Sequence, residues 1–139
     1  MRITSGSAKG LRLKVPHKSG LRPTTDLVRG AIFSILESAT ADWSRVLDLY
    51  AGTGALGLEA LSRGAGWVDF VEQNTPSCAA VKENLKRSGF TEQSHVYCIS
   101  VKRALSFLTG AYSIILMDPP YATPGLDKLV QQVAVSSAV

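Results

Sequence analysis

Long apolar runs are missing from this chain. None of its 139 residues belongs to a stretch near the roughly 20 consecutive apolar residues that span a bilayer. The opening Met1-Arg-Ile-Thr-Ser-Gly carries a charge but no apolar signal core behind it. Cysteine is scarce: Cys78 and Cys98 lack metal-ligand spacing, and a pair in a chain of this kind is no disulfide framework. They read as buried thiols of a protein in a reducing compartment, the cytoplasm. Internal repeats and low-complexity segments are absent too. What is present is 45% hydrophobic residues, enough for one real core.

Positive charge is concentrated at one end. Residues 1–30 hold Arg2, Lys9, Arg12, Lys14, Lys18, Arg22 and Arg29 against the single acid Asp26. The rest of the chain has a small excess of acids. A basic arm on an acidic body favours a polyanionic partner, most simply nucleic acid. Binding through such an arm weakens steeply with salt. Within it, Arg2–Ser5 and Leu11–Val15 can pair as a hairpin across the Gly6–Gly10 turn. After a loop, Leu21-Arg-Pro-Thr-Thr-Asp leads into a helix with Thr24 or Thr25 as N-cap. Leu27, Val28, Ala31, Ile32, Ile35 and Leu36 predict the apolar stripe by which that helix packs on the body, with Arg29 at the stripe's edge.

Four strand and helix pairs follow. The strands are predicted at 46–50, 67–71, 95–99 and 113–117, and helices follow each: one through about Arg63, then 76–88, 102–108 and 125–135. Pro76 suits a first helical turn and Gly89 a stop. This alternation predicts an α/β fold with a doubly wound, mostly parallel sheet. The division is residues 1–40 as arm and helix and 41–139 as a cofactor-binding body, together one domain.

Two places carry chemistry. Gly52-Thr-Gly54-Ala-Leu-Gly57 follows a strand and opens a helix, the context in which glycine spacing means nucleotide binding. Glu72 ends the next strand, 20 residues after Gly52, where an acid can accept hydrogen bonds from two ribose hydroxyls. Asp48 stands four residues before Gly52, badly placed for a pyrophosphate and well placed for a cationic cofactor. A capping role for its buried carboxylate is the competing reading. The second place is Ile114-Ile-Leu-Met-Asp-Pro-Pro-Tyr121, read as a buried strand that Pro119 and Pro120 terminate. Asp118 and Tyr121 then lie in a stiff loop on the side of the sheet where ligands bind.

Asp48-Leu-Tyr-Ala-Gly-Thr-Gly-Ala-Leu-Gly-Leu-Glu-Ala-Leu with Asp118-Pro-Pro-Tyr resembles class I S-adenosylmethionine-dependent methyltransferases that modify exocyclic amines. Leu21-Arg-Pro-Thr-Thr-Asp-Leu-Val-Arg narrows the resemblance to the bacterial 16S ribosomal RNA guanine-N2 methyltransferase family. The resemblance implies a Rossmann-like fold and S-adenosylmethionine held by Asp48, Tyr50, Ala51, Gly52, Thr53, Gly54, Gly57, Glu72 and Gln73, with no metal. Asp118, Pro119, Pro120 and Tyr121 would hold the target base. The residues expected on RNA are Arg2, Lys9, Arg12, Arg22, Thr24 and Arg29, with 16S ribosomal RNA in an assembling small subunit as partner. Neither cysteine adjoins the Pro-Pro loop, which argues against carbon-5 pyrimidine chemistry.

The chain departs from the family at Gly30, where an acid usually follows Arg29. It has Lys102 and Arg103 where relatives place an Asp or Asn against adenine. The family also continues past the last helix with three further strands, so strand four is expected as an exposed edge through which copies associate. Other exocyclic-amine methyl transfer (to adenine N6 of DNA), nicotinamide-dependent oxidoreduction and an inactive RNA-binding remnant remain open at this point.

Overall fold

A computed structural model describes residues 1–16, 25–39, 42–110 and 112–119. The expected helix at 125–135, and the expected site residues Arg22, Thr24, Pro120 and Tyr121, lie outside the described residues.

Among the described residues four strands build the sheet: β1 (Val46–Leu49), β2 (Val68–Val71), β3 (Ser94–Tyr97) and β4 (Ile114–Met117), in the order β3-β2-β1-β4 with every neighbour parallel. Parallel strands covered on both faces need apolar residues at successive positions, and β1 and β2 are buried along their whole length. β4 is less sheltered: Leu116 is buried, whereas Ile114, Ile115 and Met117 are half-buried. Among the described residues β4 has one strand neighbour, β1, which accounts for that exposure.

The helices are α1 (Asp26–Ala39), α2 (Ala55–Ser62), α3 (Thr75–Ser88) and the short α4 (Val101–Leu105). Asn74 caps α3 by accepting from Ser77 N at 3.0 Å, Pro76 lies in its first turn, and left-handed Gly89 closes it. A 3-10 turn at Thr91–Gln93, which no sequence period marked, enters β3. Two apolar clusters form, one joining arm, α1, α2 and α3 to the sheet, the other joining α4 to β1 and β4. Among the described residues no helix is long and apolar enough to cross a membrane.

The arm forms the expected hairpin in reduced form, with one antiparallel bridge between Arg2 and Arg12. Ile3 N donates to Leu11 O at 3.0 Å and Leu13 N to Met1 O at 3.0 Å. Ile3 and Leu13 point inward and are buried, while Arg2, Arg12 and Lys14 point out. At the turn, Gly6 has φ +86°, and a Cβ there would sit 1.8 Å from the Ser62 carbonyl oxygen.

Two expectations fail here. The first is the face that α1 presents. Leu27, Val28, Ala31, Ile32 and Ile35 of the predicted stripe are exposed, Leu27 at 84%. The helix packs instead through Arg29, Phe33 and Leu36, one face at helical spacing. Arg29 is wholly buried rather than at a surface edge: it pairs with Asp26 at 2.7 Å and Glu59 at 3.3 Å, and donates to the Arg2 carbonyl. An ion pair with Glu59 recruits this arginine into the interior and turns the helix to suit. The second concerns the cysteines. Cys78 is buried as expected, but Cys98 is exposed and the two are joined as a disulfide, with Cα atoms 6.0 Å apart. The β2-α3-β3 crossover brings α3 over the end of β3, a closeness that a separation of 20 residues does not reveal.

Candidate active site

The site is assembled at the carboxyl ends of β1, β2 and β4. Asp48, third residue of β1, is completely buried between Phe70 and Leu116 of its neighbours in the sheet. The chain then leaves the strand through left-handed backbone at Tyr50 (φ 58°), Gly52 (φ 59°) and Gly54 (φ 84°). Tyr50 is the one described non-glycine residue with positive φ, a local strain of the kind concentrated at ligand loops. Gly57 is required for packing: a Cβ would lie 2.2 Å from the Phe70 ring, so α2 can approach β2 this closely only without a side chain.

That approach has an electrostatic result. Gly54, the N-cap of α2, offers no side-chain oxygen, and Asp48 reaches up from β1 to accept the Gly57 N–H at 3.0 Å. The capping reading of Asp48 is therefore correct for Oδ2. Its other oxygen, Oδ1, is buried without a hydrogen-bond partner. Burial pushes the Asp48 pKa up to about 7; the Gly57 N–H opposes this, while the charges of Asp118 and Glu72 add to it. A buried, half-satisfied carboxylate of this kind is stabilised by a cation.

Glu72 ends β2 and braces the same loop. Its Oε1 accepts from Gly52 N at 2.9 Å and its Oε2 from Asn74 N at 2.8 Å. A carboxylate has about four lone-pair sites, so the half-exposed Glu72 keeps acceptor capacity for hydroxyls. Gln73 beside it is exposed. Ala51 N donates to Val71 O at 3.0 Å, tying the loop to β2 again. Thr53 is buried, its hydroxyl 3.6 Å from Met1 Sδ and its carbonyl accepting from Asn84 Nδ2 at 3.1 Å.

Register brings the two motifs level. Leu49 pairs with Val71 and with Met117, and Val71 with Tyr97. One residue further along, Cys98, Glu72, Tyr50 and Asp118 end the four strands in a row. Asp118 is exposed and Pro119 half-exposed at the end of that row. The glycine loop and the Asp-Pro segment, far apart in sequence, thus share one rim of the sheet.

Of the residues expected on RNA, Arg2, Lys9 and Arg12 are exposed on the arm. Arg29 is not among them, because it is spent in the buried cluster with Glu59. That cluster escaped sequence reasoning. Glu59 accepts from Thr4 N at 2.8 Å, Ser5 N at 3.1 Å, Arg29 Nε at 3.3 Å and Arg63 Nε at 2.8 Å, so it clips the arm and α1 onto α2. Burial pushes its pKa up, but Arg63, Thr4 and Arg29 together hold it below the usual carboxylate range. An acid in the middle of the otherwise apolar Ala-Leu-Gly-Leu-Glu-Ala-Leu run was the available signal.

The residues present fit an adenosyl cofactor bearing positive charge. One Asp48 oxygen is buried without a hydrogen-bond partner among the described residues, Glu72 keeps acceptor capacity, and glycines allow close approach to backbone. A family profile described as "Conserved hypothetical protein 95" matches residues 1–139. The "Putative rRNA methyltransferase YlbH" of Bacillus subtilis (strain 168) is 42% identical over 134 residues, covering 94% of this chain and 72% of that protein. "Ribosomal RNA small subunit methyltransferase D" of Escherichia coli (strain K12) is 36% identical over 133 residues, covering 94% and 65%. A hypothetical protein of Thermus thermophilus superposes with TM-score 0.88 at 33% identity, over 100% of this chain and 80% of its own. The chain thus spans about two-thirds of the length of the curated relatives it matches. The parallel sheet, its strand order and these neighbours make the fold a Rossmann-like class I methyltransferase fold. The chain belongs to the Conserved hypothetical protein 95 family, alongside the small-subunit ribosomal RNA methyltransferases D that it matches over nearly all its length.

Proposed function

We propose that this protein transfers a methyl group from S-adenosylmethionine to the exocyclic N2 amine of a guanine in 16S ribosomal RNA. The observation that carries this reading is the shared rim: Asp118-Pro119 ends β4 level with Tyr50 and Glu72, beside the loop closed by Gly52 and Gly57. The names of the relatives, which are methyltransferases of ribosomal RNA, support the substrate class.

The cofactor, when bound, supplies an electrophilic methyl group on a sulfonium. Asp48 Oδ1 and the acids around it would stabilise its positive charge, and Glu72 would accept from the ribose. An exocyclic amine on a purine is a weak nucleophile because its lone pair is delocalised into the ring. The Asp118 carboxylate and the Pro119 carbonyl accept its two N–H hydrogens, which turns the lone pair outward and offsets charge developing on nitrogen. Tyr121 stacks on the extruded base, worth about 1–3 kcal/mol. S-adenosylmethionine would supply the methyl group, the N–C bond forming as the C–S bond breaks and the neutral thioether leaves, and the amine proton would pass to the Asp118 carboxylate or to water. No covalent bond to the enzyme is required.

The arm brings in the RNA. Arg2 and Arg12 lie opposite each other across the hairpin, both exposed, a like-charge pairing that costs stability unless an anion sits against it. The partner is 16S ribosomal RNA within an assembling small subunit.

Calorimetry tests the cofactor part directly. S-adenosylhomocysteine is expected to bind and NAD to give no heat; the reverse would assign the glycine loop to oxidoreduction.

A further inference from the structure

One side chain joins the arm to the cofactor loop. Asn84 lies two-thirds along α3, wholly buried, where an amide is costly unless its groups are paired. Its Oδ1 accepts from Lys14 N at 2.7 Å, and its Nδ2 donates to Lys14 O at 3.1 Å. The same Nδ2 donates its second hydrogen to the carbonyl of Thr53, inside the glycine loop, at 3.1 Å. Asn84 therefore holds both backbone groups of Lys14 in the arm and one carbonyl of the loop. Ala cannot do this, and Asp or Leu cannot donate twice. A second contact runs parallel to it, Thr53 Oγ1 to Met1 Sδ at 3.6 Å. Fixing α3 alone does not call for such a link: the helix is already capped by Asn74 and Gly89 and packed through Val81 and Leu85.

We infer that Asn84 is a positioning residue that couples the basic arm to the cofactor loop, so that RNA and cofactor bind cooperatively. The inference rests on the proposed function. RNA on Arg2, Arg12 and Lys14 orders the strand, and the Asn84 amide passes that order to Thr53. A cofactor then enters a loop already held, and less ordering opposes its binding. By linkage, the cofactor tightens RNA binding by the same factor.

The test is a pair of titrations on the full chain. S-adenosylhomocysteine is titrated into wild type and Asn84→Ala, with and without transcribed 16S ribosomal RNA. In wild type, RNA is expected to tighten S-adenosylhomocysteine by about fivefold or more. In Asn84→Ala, each ligand still binds alone and the RNA effect falls below about twofold. Hydrogen exchange of wild type gives a second reading that does not depend on the variant's folding: RNA slows the amides of residues 51–57. Wild type that binds each ligand but shows neither effect overturns the coupling and leaves the proposed function standing. An Asn84→Ala protein with wild-type cooperativity overturns Asn84 as the positioning residue and likewise leaves the proposed function standing. Wild type that binds neither ligand overturns both.

Discussion

Two of the buried carboxylates, Asp48 and Glu59, are shifted in opposite senses. Asp48 has its pKa raised to about 7, chiefly by burial. The folded protein thus holds a proton that the unfolded chain releases near 3.8, and this contribution is complete below that value and lost as pH rises through 7. Urea midpoints of wild type are expected to fall between pH 5 and 8 and those of Asp48→Asn to stay level; parallel profiles would contradict the raised pKa. Glu59 has the reverse sign. Its lowered pKa gives stability that is present above 4.5 and lost as pH falls through the folded value. Removing it by Glu59→Ala leaves Arg29 buried beside a missing partner and frees Thr4 and Ser5. A loss of roughly 3–5 kcal/mol is expected in denaturant unfolding; a loss under about 1 kcal/mol would show the cluster to be marginal.

At the scale of elements, α1 is the informative case. Gly30 occupies its interior, and among the described residues a Cβ there meets nothing nearer than Thr4 Oγ1 at 3.7 Å. Gly30→Ala is therefore expected to stabilise by about 0.5–1 kcal/mol in the same measurement, and a destabilised variant would place the arm closer to α1 than described. The strands were legible because a parallel sheet demands apolar runs, and β1, β2 and β4 supply them within a residue of their observed bounds. The glycine loop was legible because Gly57 answers to a contact, the Phe70 ring, that close helix–strand packing imposes. The orientation of α1 was not. Counting apolar residues favours the side bearing Leu27 and Ile35, whereas the helix turns on one buried ion pair, Arg29 with Glu59, between residues 30 apart. Asn84 was hidden likewise, since nothing in an exposed-looking Lys-Glu-Asn-Leu stretch of α3 shows that it reaches Lys14 and Thr53.

Across the whole molecule, the rim formed by the strand ends is held from two sides. From one, the arm is clipped to α2 by Glu59 and Ser62. From the other, the Cys78–Cys98 disulfide fastens α3 to the end of β3, next to Glu72. Closing a loop of this length restricts the unfolded chain by about 3 kcal/mol. Reduction is expected to lower the urea midpoint of wild type and to leave Cys98→Ser unchanged; equal responses would show that the bond adds nothing in solution. That the arm, the loop and the Asp118–Pro119 segment work together is the proposal that a single product analysis judges. Wild type and Asp118→Ala are incubated with labelled S-adenosylmethionine and 16S ribosomal RNA or partly assembled small subunits, and the RNA is digested to nucleosides. Label in N2-methylguanosine from wild type, reduced about 10²-fold or more in Asp118→Ala, is the predicted result. Equal labelling by the two proteins, or label in another nucleoside, would contradict it.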